Sequence, residues 1–202
     1  MTAPTPAEPA SLDEHLARLL DLETAADTII GWHPTLMPGM LQSGAYARAA
    51  IAASAPALPP HDVEAIAAAR LTRIDTLGQA ADRRARFVIA EETLSRSVGG
   101  PSVLAGQLAH LLNLVALRPS LEVRVLPASD ETHAGLAGEF TLYATAGRRA
   151  VFVETLMGGT IIDRVERTLV YAHACDHLEE RAATPAASLN MIEAARSALA
   201  AG

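Results

Sequence analysis

The chain has 202 residues, of which half are hydrophobic and only 3% aromatic, so length and composition suit one globular domain and exclude a disordered chain. The formal net charge is −7 and every basic residue is an arginine, a balance that argues against direct nucleic-acid binding. The single cysteine, Cys175, excludes an intrachain disulfide, and there is no apolar run of about 18 residues that would span a membrane. We therefore expect a cytoplasmic protein.

The pattern of apolar residues and turn residues predicts the elements in chain order. Residues 1–10, rich in Pro and Ala, are expected to form a flexible tail, and residues 11–202 a single domain. Ser11 and Glu14 predict a capping box that begins a helix ending near Glu23. The elements predicted after it are a short strand at 28–32, helices at 44–53 and 61–77, a buried strand at 87–90, a short helix to Leu94, a long helix from Pro101, a strand at 121–126, a hairpin of strands at 138–144 and 150–155, and helices at 163–181 and 185–199. This order predicts an α+β (mixed α/β) fold, with a small, mostly antiparallel sheet, a C-terminal hairpin and several packed helices.

The predicted hairpin carries the first candidate site. If Phe140 pairs with Thr155, alternation of side chains places the set Thr141, Tyr143, Phe152 and Glu154 on one side. A face with two aromatic rings, a hydroxyl and a carboxylate suits the wall of a pocket for a mostly apolar ligand. The alternative is a solvent-facing or helix-covered side on which Glu154 pairs with an arginine.

Further candidates lie outside the hairpin. Glu91 follows a buried strand, where desolvation favours a general acid or base, although acidic residues also begin helices for electrostatic reasons. His133 lies in a polar loop and is a candidate acid, base or ligand donor, with an exposed loop histidine as the alternative. His173 and His177 have metal-ligand spacing on a helix, but no third ligand is indicated, so we expect no metal site. There is no phosphate or dinucleotide fingerprint, so we expect no cofactor.

Short segments along the chain carry a resemblance to a known family. They are, in order, Pro38-Gly39-Met40-Leu41-Gln42, Tyr46-Ala47-Arg48-Ala49, Arg70-Leu71-Thr72-Arg73, Glu91-Glu92-Thr93-Leu94, Val98-Gly99-Gly100, Gln107-Leu108, Val125-Leu126-Pro127, His133-Ala134-Gly135-Leu136, Phe140-Thr141-Leu142 and Phe152-Val153-Glu154. In this order, over about residues 24–197, the chain resembles the C-terminal domain of unknown function of Scr-family antitoxin-like transcriptional regulators of actinobacteria. Where that family usually has Arg-Gln, this chain has Arg73-Ile74.

The resemblance implies a regulatory domain that senses a ligand or binds a protein partner. In that family an Xre-type helix-turn-helix normally precedes this domain. Here only Met1–Glu23 precedes it, so we expect no DNA-binding half. The resemblance supplies no catalytic residues.

Two hypotheses of function follow. The first is a non-enzymatic domain that binds a small, largely apolar molecule or a protein partner, either a regulator of the same family or a small toxin-like protein. It would form mixed dimers or a homodimer and would not contact nucleic acid directly. The second is a cofactor-independent cyclase or isomerase of secondary metabolism built on the same pocket, with Glu154, Tyr143, Glu91 and His133 as catalytic residues.

Overall fold

A computed structural model describes residues 12–78, 83–130, 132–155 and 158–201. The expected tail at residues 1–10 and the Ser11 cap lie outside the described residues. Within the described part of the chain, no helix is both long and apolar enough to cross a membrane.

The described part of the chain contains six helices and six strands, as the sequence predicts except for one strand. The helices are α1 (Leu12–Ala25), α2 (Gly44–Ser54), α3 (Pro60–Thr72), α4 (Pro101–Leu117), α5 (Val165–Arg181) and α6 (Pro185–Ala201). The strands are β1 (Thr28–His33), β2 (Arg84–Ala90), β3 (Leu121–Leu126), β4 (Phe140–Thr145), β5 (Arg148–Thr155) and β6 (Gly158–Ile162). Short 3₁₀ turns lie at Gly39–Leu41, Arg73–Gly78, Glu91–Leu94 and Ala134–Ala137.

One six-stranded sheet with the order β3-β2-β1-β4-β5-β6 joins all the strands, which confirms the α+β fold. β1, β2 and β3 run parallel, whereas the pairings of β1 with β4, β4 with β5 and β5 with β6 are antiparallel. Parallel neighbours need long crossover connections, and here α2 with α3, and then α4, supply them. The sheet is therefore parallel in its first half and antiparallel in the half that contains the hairpin.

Apolar cores cover both sides of the sheet. We call one side the inner face; it carries Ile29, Phe87, Val123 and Tyr143, and its core includes leucines of α4 and Leu19 of α1. The other side, the α5 face, carries Ile30, Trp32, Val88 and Leu142, which pack with Cys175 and Leu178 of α5. Alternating side chains along each strand thus serve two different cores.

The β4–β5 hairpin has a two-residue turn, tighter than the sequence analysis assumes. Ala146 and Gly147 have φ of 34° and 83°, as in the turns that match the twist of a hairpin, and the Asp27 carboxylate accepts a hydrogen bond from the Ala146 amide. Thr141 consequently pairs with Phe152, so the expected pairing of Phe140 with Thr155 is wrong by two residues. Because a two-residue shift preserves the alternation, every hairpin side chain still lies on its predicted side.

The strand that sequence analysis does not predict is β6. Its first residues, Gly158 and Gly159, are typical of a turn rather than of a strand. In the structure a Cβ atom at Gly159 would lie 2.2 Å from Cζ of Phe152. Glycine is therefore needed at position 159 because the Phe152 ring from β5 lies across the neighbouring strand.

Candidate functional site

Four of the five ligand-binding residues proposed from the sequence lie on the inner face. Thr141 and Phe152 are direct cross-strand neighbours, and Tyr143 and Glu154 lie two residues further along their strands on the same side. They differ in accessibility, because Thr141 and Tyr143 are buried, Phe152 is half-buried and Glu154 is exposed. Of this set, Phe152 and Glu154 are therefore the side chains that a ligand would reach from solvent.

Tyr143 belongs to a buried charged network. Its hydroxyl donates to Oε1 of Glu23 at 3.5 Å, and Glu23 forms an ion pair with Arg73 at 2.5 Å. The side chains of Glu23 and Arg73 are only 1% and 11% exposed. Burial raises the pKa of Tyr143, and the nearby Glu23 carboxylate raises it further. Tyr143 therefore remains a neutral phenol that joins β4 to α1 and to the turn after α3.

The accessible part of the inner face ends in a line of three polar residues across three strands. Phe140 of β4 pairs with Trp32 of β1, so the next residues, Glu139 and His33, are neighbours, and Nδ1 of His33 lies 2.8 Å from Oε1 of Glu139. The register of β4 with β5 likewise brings Glu139 beside Glu154. We call His33, Glu139 and Glu154 the edge row. It lies at the carboxyl end of β1, an edge of the sheet that commonly forms sites in α/β proteins.

Gly31 makes room for the first member of the edge row. A Cβ atom at Gly31 would lie 2.7 Å from Nε2 of His33 and 2.7 Å from the Phe87 ring. The imidazole therefore lies over Gly31 beside Phe87, with ring centroids 5.8 Å apart. The His33 side chain is 7% exposed, and its Nε2 has no hydrogen-bond partner within the described residues. A buried imidazole is thus fixed at one nitrogen and unsatisfied at the other.

Glu154 is the perturbed carboxylate of the edge row. Desolvation by the surrounding protein raises its pKa, and the like charge of Glu139 raises it further, while Arg70 and His33 act in the opposite direction. The side chain reaches solvent, so the desolvation comes from protein packed on one side of the carboxylate rather than from complete burial. Neither a hydrogen bond nor an ion pair joins Glu154 to another described residue. Perturbed groups that are structurally unpaired are characteristic of functional sites.

Arg70 of α3 supplies the positive charge that acts on the edge row. Its guanidinium donates to Oε1 of Gln42 at 3.0 Å, and Gln42 in turn donates to the Met37 carbonyl at 2.8 Å. Desolvation lowers the pKa of Arg70, whereas Glu154 raises it. Gly39 lies against this group, since a Cβ atom there would be 3.6 Å from Cδ of Arg70. The guanidinium is therefore positioned by a buried turn.

Segments that carry the family resemblance meet around this group. Gln42 is the last residue of the segment that begins at Pro38, and Arg70 begins the segment that ends at Arg73. Gln107 of α4 donates to the Leu41 carbonyl at 2.9 Å and accepts from the Ser43 amide at 2.6 Å. Segments far apart in sequence thus build one support for Arg70.

His133 lies elsewhere, and the expectation that it shares a site with Tyr143 and Glu154 is wrong. Its ring packs edge-on against Trp32, with centroids 5.2 Å apart, and Trp32 belongs to the α5 face. Nδ1 of His133 accepts from the Gly135 amide at 3.1 Å, and Nε1 of Trp32 donates to the Gly135 carbonyl at 2.9 Å. His133 therefore caps the 3₁₀ turn over the opposite side of the sheet.

Glu91 also lies apart from the edge row. Its Oε2 accepts from the Ala128 amide at 2.8 Å, an interaction that holds the segment after β3 against the end of β2. The carboxylate is partly exposed and begins the 3₁₀ turn Glu91–Leu94. This position gives Glu91 a structural partner and no contact with the inner face.

A cleft of about 490 Å³ lies beside the hairpin, between the end of α1 and the start of α5. Its lining residues include Leu22, Ala26, Tyr143, Ala150 and Val165, so it is largely apolar. The set Thr141, Phe152 and Glu154 does not line it. In the described part of the chain, no three His, Cys, Asp or Glu side chains are close enough together to hold a metal ion.

A family profile described as a domain of unknown function, DUF5753, matches residues 16–194. The chain belongs to the DUF5753 family. The match includes all six strands and every residue of the edge row, so the geometry described above lies within the DUF5753 domain itself. A comparison with curated proteins finds no match.

Three residues of this candidate site, His33, Glu139 and Arg70, are not predicted from the sequence. An isolated glycine within a strand marks a close approach by another group, and Gly31 is such a glycine, two residues before His33. Glu139 and Arg70 carry no comparable sequence pattern, because their roles depend on which strands and helices become neighbours.

Proposed function

We propose that this DUF5753 domain is a regulatory sensor that binds a small molecule at the edge row. The observation that carries the proposal is the buried, unpartnered Nε2 of His33. Leaving such a group unsatisfied costs about 1–3 kcal/mol, so a ligand that bonds to it gains free energy that solvent does not supply. Phe152, half-buried on the same face, offers an apolar surface two residues before Glu154 on β5.

Two observations support a regulatory role, namely the resemblance to antitoxin-like regulators and the net negative charge of the chain. The chain resembles the effector domains of actinobacterial antitoxin-like regulators of the Xre type, which act together with DNA-binding modules. The net charge of −7 disfavours direct contact of this chain with nucleic acid. We propose that ligand binding controls association with a regulator of the same family, with a small toxin-like protein or with a second copy of this chain, in the cytoplasm.

A second candidate function is a cofactor-independent cyclase or isomerase. The observation that favours it is the contact of 2.8 Å between His33 and Glu139. A carboxylate that orients one imidazole nitrogen and leaves the other free is the arrangement of a general acid–base group. His33 with Glu139 replaces the catalytic set proposed from the sequence, because His133 and Glu91 lie elsewhere and Tyr143 is occupied by Glu23.

Native mass spectrometry of the purified chain, incubated with an extract of its source cells, tests both functions. If the domain is a sensor, we expect a small molecule to stay bound to the wild type with unchanged mass. The His33→Gln variant should lose this molecule, and the His61→Gln variant should retain it. His61 is a matched control because its side chain is 81% exposed on α3. A metabolite that is converted by the wild type and spared by His33→Gln would favour the enzyme. Equal binding to both variants would refute the edge row as the site.

A further inference from the structure

The cleft beside the β4–β5 hairpin is a cavity that the edge row does not use. Its volume is about 490 Å³, and sites for small molecules span roughly 300–1,000 Å³. The cleft lies at the end of the hairpin that carries the Ala146–Gly147 turn, whereas Glu139 and Glu154 lie at the other end of the same two strands. The cleft and the edge row are therefore separate places on the domain.

Apolar side chains from three elements line the cleft. α1 contributes Leu22, Ala25 and Ala26, β5 contributes Ala150, and α5 contributes Val165. The side of the cleft at α5 is open to solvent, because Val165 is 66% exposed. A hydrocarbon group held in the cleft would remove these surfaces from water, which is favourable.

Two arginines, Arg148 and Arg149, supply positive charge to the lining of the cleft. Both are exposed, and neither forms an ion pair with a carboxylate in the part of the chain that the structure describes. Asp163 is the acidic residue of the same lining, so its charged groups together carry one positive charge. Asp27 lines a smaller neighbouring cleft, where its carboxylate already accepts the Ala146 amide. A ligand with a single negative charge therefore matches the larger cleft.

The main chain of Arg149 adds a hydrogen-bond donor at the same place. The Ala144 carbonyl accepts from the Asp27 amide at 2.9 Å, so the main-chain groups of Ala144 point away from β5. Arg149 pairs with Ala144, and both members of such an antiparallel pair direct their N–H and C=O groups outward. β6 ends opposite Val151, two residues before it would reach Arg149, and so gives these groups no partner. The Arg149 N–H can therefore donate to a ligand in the cleft.

We propose that this cleft binds a monocarboxylate that carries an aliphatic or aromatic hydrocarbon group. The carboxylate accepts from the guanidinium groups of Arg148 and Arg149 and from the Arg149 N–H, since arginine forms strong charge-assisted hydrogen bonds with carboxylates. The hydrocarbon group lies between α1 and α5. This second site goes beyond the proposed function and does not depend on the edge row.

Isothermal titration calorimetry with octanoate, decanoate and naphthoate tests the proposal. We expect at least one of these carboxylates to bind. The alcohol and the amine with the same hydrocarbon group are expected to bind about tenfold or more weakly, because neither carries the negative charge that the arginines recognise. Equal binding of the alcohol would overturn the arginine contact, and failure of all three carboxylates to bind would overturn the proposal.

Variants of the lining locate the binding on the protein. The double variant Arg148→Gln with Arg149→Gln is expected to weaken the carboxylate about tenfold or more. Its control, Arg48→Gln with Arg96→Gln, removes the same charge from exposed positions outside the lining and should leave the affinity unchanged.

A further variant, Ala25→Trp, fills part of the cleft from an exposed position at the end of α1. It is expected to weaken binding without lowering Tm. If the double arginine variant and Ala25→Trp both bind as the wild type does, the carboxylate binds elsewhere and the proposal is wrong.

The variant His33→Gln separates this site from the edge row. It should bind the carboxylate as the wild type does, because His33 does not line the cleft. Loss of the carboxylate from His33→Gln, but not from the double arginine variant, would overturn the cleft as the site. An extract molecule that is lost from the double arginine variant and retained by His33→Gln would support the cleft and refute the edge row.

Discussion

Removing the negative charge of Glu23 is expected to destabilise the fold strongly. The carboxylate is 1% exposed and is the ion-pair partner of Arg73, whose side chain is 11% exposed. Burial lowers the pKa of Arg73, but the hydrogen bond and charge of Glu23 outweigh burial and raise it. Glu23→Gln therefore leaves a buried guanidinium without its counter-charge.

The expected loss is large because only one partner of a buried pair is removed. Such changes cost about 3–5 kcal/mol, which for a chain of this size lowers Tm by roughly 6–20 °C. Because Glu23 joins α1 to the turn after α3 through Arg73 and to β4 through Tyr143, the variant is also expected to expose α1 to limited proteolysis. Urea denaturation followed by circular dichroism gives the free energy of unfolding, and a thermal scan gives Tm.

Two comparisons test the reasoning. Glu64→Gln removes the partner of Arg48 on the surface, where both side chains are about half exposed, and is expected to cost less than about 1 kcal/mol. The double variant Glu23→Gln with Arg73→Met removes both charges and is expected to recover part of the loss. If Glu23→Gln proves no more destabilising than Glu64→Gln, the buried pair is not a determinant of stability.

Three further predictions concern the glycine beneath Phe152, the carboxylate of the edge row and the cysteine. Gly159→Ala is expected to lower the free energy of unfolding, measured in urea, by about 1–3 kcal/mol, because the new Cβ atom overlaps the Phe152 ring. The control Gly106→Ala places its Cβ atom in open space on α4 and is expected to raise that free energy by about 0.5–1 kcal/mol. Equal effects of the two variants would refute the overlap. Because the pKa of Glu154 is raised in the folded state, its ionised form opposes folding, so Glu154→Gln is expected to raise stability by less than about 1 kcal/mol at neutral pH. Thermal scans should show this gain disappear as the pH falls below the ordinary value of 4.5, and a gain that grows in acid would contradict the sign. Burial raises the pKa of Cys175 to about 12. An aromatic disulfide reagent at pH 8 is therefore expected to label this cysteine only after the chain unfolds. Rapid labelling of the native chain would instead show that α5 opens.

Most of the helices are predictable because their signals are local. Pro101 lies at the start of α4 as expected. The start of α5 is less well predicted, since the helix begins at Val165 rather than at residue 163. β6 is missed because Gly158 and Gly159 have the composition of a turn, although the Phe152 ring requires glycine at the second position.

The site is predictable only where alternation along one hairpin determines it. That alternation correctly assigns Phe152 and Glu154 to a common side, even with the wrong register. The pair His33 and Glu139 is separated by 106 residues in sequence and depends on β1 lying beside β4, a neighbour relation that no local pattern encodes. For the same reason the sequence does not reveal that His133 is on the far side of the sheet.

The two-residue turn of the β4–β5 hairpin limits how its length can vary among related chains. One extra residue in β5 would turn Phe152 and Glu154 toward α5 and would bring Val151 and Val153 to the edge of the site, unless a bulge absorbed it. Insertions and deletions here are therefore expected in even numbers or together with a bulge. In any DUF5753 sequence, the length of this hairpin therefore indicates whether a carboxylate is retained opposite the position of Glu139.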